Sequence, residues 1–354
     1  MGGTGYGGQV TVNGRCGGGA VSRSANPATP REGRGKNCSR ASGLLLRPAH
    51  TPFSPMKTLL KVLGYGLAAL VILVAALIGV VYVASNAKLK KTHAVTAQPV
   101  TVPTDATAIA QGRHLAETRG CMACHGRDLA GATVFDNPAM GRADGPNITR
   151  GAGGLPGDWS DLDYVRAIRH GVAHDGRGLF LMPSTDYATF SQADMGALIA
   201  YLKSLPAVDK PRGPVAPGPV ARALLLAGKI KLAAEVIDHV HVQPSVVTPA
   251  VTAEYGKYLA VACTGCHGEN YSGGKIDIGP PDWPPAANLT PHAAGRLAKW
   301  RESDFLQALR TGRRPDGTAL SAVMPKDFGK LDDTELKAIW LFLKTLPPVA
   351  TGTR

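Results

Sequence analysis

The sequence predicts an all-α protein: one N-terminal membrane-crossing helix followed by two tandem copies of a helical domain. Three observations carry that expectation. Residues Val62 to Ala84 run for 23 positions without a charge. Beyond them the chain repeats itself at an offset of 141 or 142 residues. Within each copy the apolar residues recur at helical spacing, and no stretch shows convincing strand alternation.

The uncharged run follows a basic start, Met56-Lys57 and Lys61. As a helix it spans roughly 34 Å at ~1.5 Å per residue, enough to cross a bilayer. A buried core helix would show a polar face, and this run has none. Ser85-Asn86-Ala87 resembles a small-x-small cleavage site, so residues 56–91 read as an anchor or a signal segment. Signal cores are usually about 7–15 residues long, which favours an uncleaved anchor. Residues 1–55 are rich in Gly, Arg, Ser and Pro and cannot bury enough surface to offset their ordering entropy. They read as a disordered cytoplasmic tail or an over-extended gene start. The second is favoured, because Met56 opens a basic-then-apolar export segment. Cys16 and Cys38 fall there and are assigned no role.

A formal charge of +13 suggests a polyanionic partner until the charges are located. Residues 1–55 hold seven Arg/Lys and one acid, and residues 56–91 hold five Lys and no acid. Residues 92–354 therefore carry 27 basic and 25 acidic groups, a net of +2. Nothing there has the footprint of a nucleic-acid-binding surface.

The repeat governs the rest of the reading. Cys121-Met-Ala-Cys124-His125-Gly returns as Cys263-Thr-Gly-Cys266-His267-Gly, and Asn147-Ile-Thr149 as Asn288-Leu-Thr290. Trp159 to Gly171 returns as Trp300 to Gly312, Met182-Pro183 as Met324-Pro325, and Leu202-Lys-Ser-Leu205-Pro206 as Leu343-Lys-Thr-Leu346-Pro347. The domains expected are 104–206 and 250–349, joined by a linker, 207–249. Pro211 to Pro219 is rich in Pro and Gly, and a helix is expected from Ala221 to about His239.

Each copy has three expected helices. One precedes the cysteine motif, at Ala108–Thr118 and Ala253–Val261. A second starts near Ser160 or Ser303 and stops at Gly171 or Gly312. The last begins on capping-box pairs, Ser191 with Asp194 and Asp332 with Glu335, and ends at Pro206 or Pro347. Met195, Leu198, Ile199, Leu202 and Leu205 mark its buried face, as do Leu336, Ile339, Trp340, Leu343 and Leu346.

Cys-x-x-Cys-His is a signature of covalent haem attachment. Two thiols add to the two vinyl groups on one haem edge, and the adjoining His reaches under the ring to the iron. A redox Cys-x-x-Cys or a four-cysteine zinc site would not require His after the second Cys in both copies. The sixth iron ligand suits a soft thioether. Met324 is the only methionine of the second copy and lies 58 residues after Cys266; Met182 lies 58 after Cys124. The expected set is thus Cys121, Cys124, His125 and Met182, then Cys263, Cys266, His267 and Met324, holding two covalent haem c groups. The metal ligands among them are His125, Met182, His267 and Met324. Met195 fits a core position. Met140, without a counterpart, is a minor rival in the first copy.

Copy two has Thr311 and Pro315 where copy one has His170 and His174, so those two read as surface residues rather than ligands. His239 and His241 read as an incidental pair. His114 and His292 show no partner.

Each copy resembles a class I cytochrome c domain. The run Leu198-Ile-Ala-Tyr201-Leu-Lys203 is similar to that family's C-terminal helix. Gly112 and Gly256 match its small residue where the terminal helices cross, with Tyr201 or Phe342 beside the crossing. The wider pattern is similar to cytochrome subunits of membrane-bound alcohol, aldehyde and gluconate dehydrogenases. Those commonly carry three haems, against the two motifs here. The resemblance implies haem attachment outside the cytoplasmic membrane, hence single-pass anchoring in a bacterial inner membrane with both domains on the periplasmic side. The lysines alone do not decide this, since Lys88, Lys90 and Lys91 also flank the outer end. The function implied is electron transfer between a dehydrogenase and a terminal oxidase or soluble cytochrome, without catalysis by the chain itself. The alternative is a dihaem cytochrome c peroxidase, which needs one iron that can open for peroxide.

Overall fold

The computed structural model describes residues 55–276, 279–280 and 282–353. The reading of the N-terminal tail, with Cys16 and Cys38, lies outside the described residues. Helix α1 spans Pro55–Leu89. From Val62 to Val80 its large apolar side chains stand exposed on every side, as an anchor's would. Its far end is built into the fold instead. Ser85 is fully buried, and Arg222 donates to Ser85 Oγ at 2.7 Å and Asn86 Oδ1 at 2.8 Å. The Arg222 guanidinium also lies 4.4 Å from the Tyr82 ring centroid, and Lys88 Nζ pairs with Glu235 at 3.2 Å.

In the first repeat, α2 (Ala106–Thr118) is capped by Asp105, whose carboxylate accepts from Ala108 N at 2.9 Å. It crosses α6 (Gln192–Ser204), the last helix of that repeat. At the crossing, a Cβ on Gly112 would overlap the Ala197 carbonyl and crowd Tyr201 Cβ. The second repeat reproduces this between α9 (Ala253–Ala260) and α12 (Asp333–Thr345), where a Cβ on Gly256 would overlap the Ala338 carbonyl and crowd Phe342 Cβ. Glycine lets each helix pair approach backbone to backbone. Leu115, Met195, Leu198 and Ile199 at the first crossing and Leu259, Leu336, Ile339 and Leu343 at the second are all buried, within one continuous hydrophobic cluster. Between these pairs lie α3 (Cys121–His125), α4 (Asp161–His170) and α5 (Ser184–Tyr187) in the first repeat. The second has α10 (Thr264–His267) and α11 (Glu302–Thr311).

The helical architecture is as expected, and several details are corrected. A small antiparallel sheet is present: β1 (Ala132–Asn137), β2 (Gly141–Gly145) and β3 (Ala216–Pro217), in that order. β1 is mostly exposed, with polar and apolar residues out of step with a period of two, so no alternation announces it. Its hairpin turn holds Met140, whose N–H donates to Asn137 Oδ1 at 2.8 Å. The linker helix is two pieces, α7 (Pro219–Leu226) and α8 (Ala233–Val236). Gly228 adopts φ +69°, and Lys229 N and Gly228 N return to the Leu224 and Leu225 carbonyls, the closure that ends a helix. At α6, Ser191 caps Asp194 N at 3.0 Å, but the Asp194 carboxylate accepts from Tyr258 of the other repeat at 2.5 Å instead of reaching back. His170 is buried rather than superficial, its Nδ1 3.0 Å from His239 Nδ1, because the linker folds over α4. His114 and His292 do have partners, Glu335 Oε2 at 2.8 Å and Ala294 N at 3.2 Å.

Candidate haem-attachment sites

Each cysteine motif forms one tight helical turn, closed by a glycine that the chain needs for a left-handed φ: Gly126 and Gly268, both at +79°. The chain then curls back on the motif. Gly131 N donates to the His125 carbonyl at 2.7 Å, and Gly273 N to the His267 carbonyl at 2.8 Å. Leu129 and Tyr271 take positive φ at equivalent places in the two curls, at 54° and 60°.

This curl fixes the imidazoles. His125 Nδ1 lies 2.9 Å from the Pro146 carbonyl, and His267 Nδ1 lies 2.7 Å from the Ala287 carbonyl. A carbonyl only accepts, so Nδ1 carries the proton and Nε2 keeps its lone pair, the state a metal ligand requires. Burial pulls His125 below the usual imidazole range, against the pull of the Pro146 bond, and so favours the neutral ring. Burial likewise pushes the Cys121 and Cys263 thiols up to about 12.

Asn147 and Asn288 hold the two curls to the chain beyond the last helix. Asn147 Oδ1 accepts from Thr149 N and Oγ1 at 2.9 and 2.8 Å, while its Nδ2 donates to the Val208 carbonyl at 2.7 Å. Asn288 makes the same three bonds, to Thr290 at 2.8 and 2.7 Å and to the Val349 carbonyl at 2.7 Å. Each asparagine is thus a three-point staple.

In the second repeat Cys263, Cys266, His267 and Met324 line a single cavity of about 1280 Å³, open mouth included. Its other walls are largely apolar, with Trp300, Phe305, Leu309 and Ile339 among them. Met324-Pro325 leads directly into a 3-10 turn, Lys326–Lys330, as Met182-Pro183 leads into α5. In the first repeat Cys121 and Met182 border the buried core, and Met195 is wholly inside it. Among the described residues Trp159, the counterpart of Trp300, has its Nε1 buried with no hydrogen-bond partner. An apolar cleft with thiols, an imidazole and a thioether on its walls suits a large flat macrocycle.

Arg169 and Arg310 fall at equivalent places in the repeated segments Trp159 to Gly171 and Trp300 to Gly312, and the structure shows what they do. Arg169 donates to the Ala188 and Phe190 carbonyls at 3.0 and 2.6 Å, bracing the segment between Met182 and α6. Arg310 reaches the Gly329 carbonyl at 2.7 Å and Asp333 at 2.8 Å in the matching segment.

Residues 109–206 and 253–347 each match the family profile described as cytochrome c. The chain is 30% identical over 267 residues to the gluconate 2-dehydrogenase cytochrome c subunit of Pantoea cypripedii, covering 67% of this chain and 59% of that one. It is 30% identical over 289 residues to the fructose dehydrogenase cytochrome subunit of Gluconobacter japonicus, covering 72% and 57%. A diheme cytochrome c-type protein of Cereibacter sphaeroides is 26% identical over 220 residues, covering 58% and 71%. The chain therefore spans rather more than half the length of the two dehydrogenase subunits. Two repeats, each with the helix crossing, the curled cysteine–histidine turn and its own match to the profile, place this chain in the cytochrome c family.

Proposed function

We propose that the chain holds two haem c groups and passes electrons from a dehydrogenase to a terminal oxidase or soluble cytochrome. The observation that carries this is the second-repeat cavity, where Cys263, Cys266, His267 and Met324 meet on one apolar wall set, with the equivalent residues spaced alike in the first repeat. Bound haem would supply the one-electron ferric/ferrous couple. The chain's own part is to attach it through Cys121 and Cys124 or Cys263 and Cys266. Pro146 and Ala287 aim the imidazoles of His125 and His267, and Met182 and Met324 offer thioethers. The dehydrogenase subunits named above support a dehydrogenase as donor. The relatives lend no support to the peroxidase alternative.

The same reading makes α1 an uncleaved anchor with both repeats at the outer face of a bacterial inner membrane. Its support is the far end of the helix, where Arg222 grips Tyr82, Ser85 and Asn86, the stretch a signal peptidase would have to reach.

Pyridine haemochrome assay of the purified chain tests the proposal: two covalent haems per chain are expected, and one or none overturns it. A half-reduced protein that develops a high-spin iron and steadily consumes peroxide would favour the peroxidase instead.

A further inference from the structure

Arg119 stands where the two repeats meet, two residues before Cys121, and is 6% exposed. Its Nη1 donates to the Leu259 carbonyl at 2.8 Å, four residues before Cys263. The guanidinium carbon lies 5.7 Å from the Phe190 ring centroid in the first repeat and 5.4 Å from that of Tyr258 in the second. Its own carbonyl accepts the Tyr187 hydroxyl at 2.9 Å. One side chain thus joins the segments that lead into both cysteine motifs.

A buried guanidinium ordinarily brings a carboxylate with it, because an uncompensated charge is costly to desolvate. Among the described residues Arg119 makes no ion pair, and its Nε has no partner. The interface acids are engaged elsewhere: Asp194 accepts from Tyr258, and Glu335 from His114. Two aromatic faces and one carbonyl are what hold it. Arginine keeps its charge in folded proteins, and a charge in a poorly screened interior acts over longer distances than one at the surface.

We propose that Arg119 is a positioning residue for electron transfer, locking the two haem-attachment segments into one frame and setting a single positive charge beside both. The proposal rests on the reading of the four cysteines as attachment points. Its physical content is simple. Reduction of either iron adds one electron and no proton, lowering that site's charge by one, so a fixed positive neighbour favours the reduced form. Consistent with one charge serving two sites, Arg119 opposes the upward push of burial on both the Cys121 and the Cys263 thiol.

The test uses the full chain, with haem counted by pyridine haemochrome before any potential is read. In Arg119→Met, both midpoint potentials, followed by spectroelectrochemical titration, should fall together. Arg119→Lys keeps the charge, so both potentials should stay near wild type while thermal stability drops. Should Arg119→Met not fold, Arg119→Gln keeps an N–H donor for the Leu259 carbonyl and reads the same two potentials. A neutral variant holding two haems with unmoved potentials, or with only one moved, overturns the inference. So does Arg119→Lys lowering both as far as Arg119→Met. Absence of covalent haem from the wild-type chain would instead sink the reading on which this inference rests.

Discussion

His114 of the first repeat and Glu335 of the second meet across their boundary, with Nε2 and Oε2 2.8 Å apart. The same Oε2 accepts from Asp332 N at 2.8 Å, so the carboxylate that starts α12 also ties the repeats together. The bond to Glu335 raises His114 above its usual value of 6.5, outweighing burial. A raised histidine contributes stability in full below its unfolded value and loses it as pH climbs through the folded value. The repeats should therefore dock more tightly on the acid side of neutrality. His114→Ala should cost about 1–2 kcal/mol at pH below about 6.5, and progressively less above it. Calorimetric unfolding across that range reads the effect, and a pH-independent difference would refute the link.

The thioether assignments predict symmetrical spectra. Met182→Ala and Met324→Ala should each remove about half of the sulfur-to-iron absorption at the red end of the oxidised spectrum, and each should lower one potential. A variant with the wild-type spectrum would show its methionine misassigned.

Backbone contact at the helix crossings predicts intolerance of a single methyl group. Gly256→Ala sets a Cβ against the Ala338 carbonyl, and helix backbones cannot yield locally, so the second repeat should lose about 3 kcal/mol or fail to fold. Gly66→Ala, in α1, meets nothing within 4 Å and should be harmless. Thermal melts of the two variants compare them directly.

Anchoring predicts that protein made from Met56 onward stays in the membrane through high-salt and carbonate washes. Replacing residues 62–84 with a cleavable signal should release a soluble protein that keeps its haem. Sequencing of the native N-terminus is decisive, because a chain beginning at Lys88 would make the segment a signal peptide.

How much of this was legible in the sequence depends on where each signal lives. The helices that carry α2, α6, α9 and α12 were legible because their apolar faces repeat along the chain and their caps are local. The hairpin of β1 and β2 was not, because neither strand alternates apolar with polar residues: β1 is largely exposed, and β2 buries three residues in a row. The linker was read as one helix because its apolar residues continue past Gly228, and only the closure onto Leu224 and Leu225 shows the break.

The sequence by itself determined the family, the duplication and the candidate attachment residues, since covalent chemistry demands residue types at rigid short spacings that a second copy then repeats. Only the tertiary structure decided what lies between the copies. Arg119 against Leu259, His114 against Glu335 and Tyr258 against Asp194 join residues 140, 221 and 64 positions apart. Such pairings have no period and no local cap; they come from two packed surfaces whose buried polar groups must find partners once water is excluded.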